Sequence, residues 1–81
     1  MGNKDLRQAV ALLAAGDWQA AHLIVQEDEE SRLSCWAHGI VHLMEGDLAN
    51  AGYWYRVAGR VLRKDVSIEA EIAALQEALA G

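Results

Sequence analysis

Two histidines and a glutamate stand at His38, His42 and Glu45, a spacing of i, i+4 and i+7. On a helix turning about 100° per residue, all three fall within about 60° of one another. Two imidazoles one turn apart chelate a divalent transition metal, and a carboxylate one turn further supplies a third ligand. The competing reading needs no metal: histidines on a polar helix face are satisfied by water or by a neighbouring helix. A zinc-protease helix carries a glutamate between its histidines, and positions 39–41 here read Gly39-Ile40-Val41. Metalloprotease chemistry is therefore excluded. A divalent metal on His38, His42 and Glu45 is the one cofactor the pattern suggests.

A second group lies further on. Asn50, Tyr53 and Trp54 share one helix face and Arg56 follows them. Aromatic side chains with a polar end suit interfaces and ligand pockets. If this face met the histidines, His38, His42, Asn50, Tyr53 and Arg56 would line one pocket, with Arg56 as the fork for a carboxylate or phosphate. The plainer alternative packs Trp54 under the last helix, leaves Tyr53 at the surface and pairs Arg56 with an acidic neighbour. His22 reads as a boundary histidine, close to the third helix only if that hairpin packs antiparallel. Cys35 has His38 three residues on, but that spacing provides neither an oxyanion site nor a third orienting group. With no nucleophile–base pair to name, a binding protein is expected rather than an enzyme.

The elements that must position these side chains are announced by a repeated junction. Gly16-Asp17 and Gly46-Asp47 stand thirty residues apart, each between stretches of helical periodicity. Glycine ends a helix in the left-handed conformation and aspartate accepts from the free amides that start the next. Two such junctions predict two tandem helix-turn-helix units. Leu6, Val10 and Leu13 define a first helix over about 4–15, and Trp18, Ala21 and Val25 a second capped by Asp17. Glu27 to Glu30 reads as a solvated turn running into the acidic first turn of a third helix, over about 30–45. The fourth runs from Asp47 to about 60 or 62, with Ala51, Gly52, Ala58 and Gly59 as a small-residue face for close helix approach. Ser67 or Asp65 caps a fifth, in which Ile68, Ile72, Leu75 and Leu79 form one stripe. The fold class is all-α, in one domain over 1–81.

Composition narrows the partners. Acidic residues outnumber basic ones 12 to 7, for a net charge of −5, which disfavours nucleic acid and anionic membranes. No apolar run approaches the roughly 18 residues of a membrane span. The opening Met1-Gly2 leads into an amphipathic helix rather than a secretory signal, and one cysteine allows no intrachain disulfide. A cytoplasmic location is expected. The chain is 53% hydrophobic without any Phe or Pro, a large apolar supply for so small a core.

The hairpin pattern resembles tetratricopeptide-like and Sel1-like repeats, with a period shorter than the usual 34 residues. More specifically, Trp36-x-His38-x3-His42-x2-Glu45-Gly46-Asp47 followed by Asn50-x2-Tyr53-Trp54-Tyr55-Arg56-x-Ala58-Gly59 resembles a family of small bacterial helical proteins of uncharacterised function. The likeness spans roughly residues 10–60 and lacks the prolines and further Trp that relatives place afterwards. It implies a helical-hairpin fold and a candidate patch, and no reaction. The leading functional expectation is a tetratricopeptide-like interaction module that self-associates or docks a partner helix or peptide. The alternative is a metal- or small-ligand-binding protein using His38, His42 and Glu45.

Overall fold

The computed structural model describes residues 3–80 and contains five helices: α1 (Asn3–Ala14), α2 (Trp18–Val25), α3 (Arg32–Glu45), α4 (Leu48–Val57) and α5 (Ile68–Ala80). The all-α class follows the periodicity, and no strand occurs among the described residues. The reading of Met1-Gly2 lies outside them. No described helix is long and apolar enough to cross a membrane.

Both Gly-Asp junctions do what their chemistry requires. Gly16 and Gly46 adopt φ of +86° and +89°. A Cβ at either would meet nothing within 4 Å, so backbone conformation and not space demands glycine there. Asp17 Oδ1 accepts from the Ala20 amide and Asp47 Oδ1 from the Asn50 amide, both at 3.2 Å.

Two boundaries differ from expectation. α3 starts at Arg32 with Ser31 as its cap, so the acidic run contributes no first turn. Instead Asp28 Oδ1 accepts from the Glu30 and Ser31 amides, closing the turn on itself and holding the Asp28 carboxyl below its usual range. α4 ends at Val57 because Gly59 turns left-handed, at φ +76°.

α3 is the central element, packed against α1, α2, α4 and α5, while α5 also lies on α1. Leu6, Val10 and Leu13 of α1 meet Ile40 and Val41 of α3 in the core, which Leu75 of α5 joins. The close helix approach expected at Gly52 occurs elsewhere. A Cβ at Gly52 would touch nothing within 4 Å, whereas one at Gly39 of α3 would collide with the Tyr55 ring of α4.

One carboxylate joins three helices. Glu71 Oε1 accepts from Tyr55 Oη at 2.6 Å and from Trp36 Nε1 at 3.2 Å, and the Arg60 guanidinium lies 3.5 Å over the Trp36 ring. Burial, and then the hydrogen bond and charge of Glu71, push the Tyr55 phenol well above its ordinary value. Tyr55→Phe removes a charge-assisted bond and is expected to lower the unfolding free energy by about 1.5 kcal/mol. Urea denaturation at unchanged m-value checks this; an unmoved midpoint would mean that water or Trp36 fully replaces the phenol.

Candidate metal centre

The antiparallel packing of α2 on α3 brings three imidazoles together. His22 of α2 and His38 and His42 of α3 each place a ring nitrogen within 4.8 Å of one from both others. Their ring centroids are separated by 4.9 Å (His22–His38), 5.5 Å (His22–His42) and 5.2 Å (His38–His42). Tetrahedral zinc with Zn–N of about 2.0–2.1 Å spaces its ligand atoms by roughly 3.3 Å, a closure within reach of side-chain rotation. On its other side His38 stacks on the Trp54 indole, centroids 4.0 Å apart and planes 11° from parallel.

The cluster grades from buried to exposed. His38 is 4% exposed, and its Nδ1 is buried with no hydrogen-bond partner. The His42 side chain is 11% exposed, and its Nδ1 lies 2.9 Å from Glu45 Oε1. That contact places the His42 proton on Nδ1 and leaves Nε2 as its ligating atom, the carboxylate–histidine arrangement common behind bound zinc. His22 is half-buried.

Burial, and secondarily the neighbouring His22 and His42, lower the His38 pKa to about 4. His38 is therefore neutral at pH 7, the state in which an imidazole ligates metal. Three imidazoles, one with an orphaned nitrogen, form a donor set for a borderline-soft divalent ion.

The structure redistributes the residues singled out from the spacing. His38 and His42 are together, as the i, i+4 spacing requires, and His22 joins them as the third imidazole. Glu45 holds His42 from outside that trio. Asn50 is turned away into the α4 cap, where its Nδ2 donates to Asp47 Oδ2 at 2.6 Å. Trp54 stacks on His38, and Tyr53 is 51% exposed with its ring edge-on to Trp54. Arg56 is exposed on α4, and no salt bridge to it occurs among the described residues.

The expected polar face of α3 does not exist. With four helices around it, α3 is buried continuously from Ser34 to Val41, and His38 is buried with it. The signal for His22 was present in the chain: His22 and His38 lie equally far on either side of position 30, inside the α2–α3 connection. An antiparallel hairpin brings such positions to the same level.

No family model, curated protein or solved structure matches this chain.

Proposed function

We propose that this protein binds one divalent transition-metal ion through His22, His38 and His42. The observation that carries the reading is the partnerless, buried Nδ1 of His38 within a three-imidazole cluster. An orphaned buried polar atom costs about 1–3 kcal/mol, and a metal or its bound water removes that cost. All-imidazole ligation selects zinc, cobalt, nickel or copper over magnesium and calcium, which take oxygen ligands. The buried free thiol of Cys35 accords with a cytoplasmic setting.

The test is titration of chelator-treated protein with Co²⁺, read by its visible absorption, followed by displacement with Zn²⁺. One ion per chain is expected, and loss of binding in His22→Gln, a half-buried position where the fold survives. Zinc at a hundred times its Kd stabilises by about 2.7 kcal/mol, which raises Tm by roughly 10–20 °C in a domain of this size. Absence of any cobalt spectrum, or equal binding by His22→Gln, would overturn the assignment.

A second reading, a tetratricopeptide-like module that self-associates or docks a partner helix, draws on α4. Tyr53 and Val57 stand one turn apart on one face of it, 51% and 43% exposed. Sedimentation of the wild type should show a dimer that Tyr53→Asp converts to a folded monomer. A wild type that stays monomeric at high concentration removes self-association.

A further inference from the structure

We propose that Trp54 is the positioning residue of the metal centre, holding the His38 imidazole in its ligating plane by face-to-face stacking. This role rests on the metal-binding reading above and adds to the site a residue that supplies no ligand.

A ligating imidazole is ordinarily held by a hydrogen bond to its second nitrogen. His42 has one, to Glu45 Oε1 at 2.9 Å. His38 has none: its Nδ1 is buried without a partner, and no hydrogen bond to either of its ring nitrogens occurs among the described residues. The Trp54 indole lies against it instead, with ring centroids 4.0 Å apart and planes 11° from parallel. Turning the imidazole about its Cβ–Cγ bond would drive a ring edge into the indole face. The stack therefore fixes the ring plane. Both nitrogens lie in that plane, and one of them is within 4.8 Å of a nitrogen of His22 and of His42.

Two neighbouring contacts bring the indole there. Gly39 follows His38 on α3, and Tyr55 follows Trp54 on α4. A Cβ at Gly39 would collide with the Tyr55 ring, so the bare glycine lets α4 approach until the next side chain, Trp54, reaches the imidazole face. Tyr55 Oη donates to Glu71 of α5 at 2.6 Å, which keeps α4 seated. A bound ion strengthens the stack. A ligated imidazole shares the charge of its ion, and the face of tryptophan is the best aromatic partner for a cation.

The test is Co²⁺ titration of chelator-treated Trp54→Leu and Trp54→Phe, read by visible absorption, beside urea denaturation of each metal-free protein. Leucine keeps apolar bulk without a flat face, whereas phenylalanine keeps the face. Trp54→Leu is expected to weaken Co²⁺ binding about tenfold and to move the visible bands. Trp54→Phe is expected to restore most of that affinity, with wild-type bands. A merely structural side chain would lower the urea midpoint of both variants and leave affinity and bands unchanged; that result overturns the assignment. Equal weakening in the two variants overturns it as well. If Trp54→Leu does not fold, fluorine NMR of fluorotryptophan-labelled wild type decides. The resonance missing from Trp54→Phe should shift when Zn²⁺ binds, and a bound ion that leaves it unmoved overturns the role of Trp54. A wild type that binds neither ion instead overturns the metal-binding reading itself.

Discussion

Gly39→Ala is expected to lower the unfolding free energy by about 2 kcal/mol and Gly39→Val by about 3 kcal/mol, against the helix propensity of both replacements. Mid-helix glycine costs about 1 kcal/mol relative to alanine, so propensity alone predicts stabilisation. Packing decides otherwise. A Cβ at Gly39 would meet Tyr55 Cδ1 and Cε1, the latter at 2.7 Å, with the Ala51 carbonyl 3.4 Å away. The Tyr55 ring cannot swing clear, being 1% exposed and tethered through its hydroxyl to Glu71. Gly52→Ala serves as the paired control, because its Cβ enters open space. That substitution is expected to stabilise by up to about 1 kcal/mol. Urea midpoints of the two alanine variants should therefore move in opposite directions. Equal shifts would show that α3 and α4 separate at little cost.

Acidification of the metal-free protein provides the other large effect. His38 has a folded-state pKa of about 4, below the ordinary 6.5. The neutral form is thus favoured by folding. The associated stability is present in full above pH 6.5 and is lost as the pH falls through about 4. At 1.36 kcal/mol per unit the loss amounts to about 3 kcal/mol. The groups facing His38 are the His22 and His42 rings and the Trp54 indole, with Glu45 behind His42. None of these is a carboxylate in contact with His38, so nothing adjacent stabilises its imidazolium. Denaturant midpoints measured in chelator from pH 7 to 4 should fall along this curve, and His38→Phe should flatten it. A wild-type curve that is level above pH 4.5 would mean that His38 is accessible to water and titrates normally.

Much of the fold was legible in local chemistry. The Gly16-Asp17 and Gly46-Asp47 junctions announce their own conformations, because a left-handed glycine and an amide-capping aspartate act within a few residues of chain. The apolar spacing of α1 and α5 was equally direct, since each presents a single buried stripe. Local rules misplaced the start of α3, where Asp28 closes its turn by accepting two amides and Ser31 takes the cap. They also overextended α4, which an αL glycine at Gly59 ends.

The candidate site was half legible. The i, i+4 spacing by itself determined that His38 and His42 share a helix face, because helical geometry leaves them no alternative. Only the tertiary structure decided that the face is buried, that His22 arrives from α2, and that Glu45 braces His42 from outside the imidazole trio. It also decided which glycine the packing needs, Gly39 and not Gly52. Periodicity reports which residues lie together on one helix. The direction each face looks depends on how many neighbours surround that helix, and α3 has four.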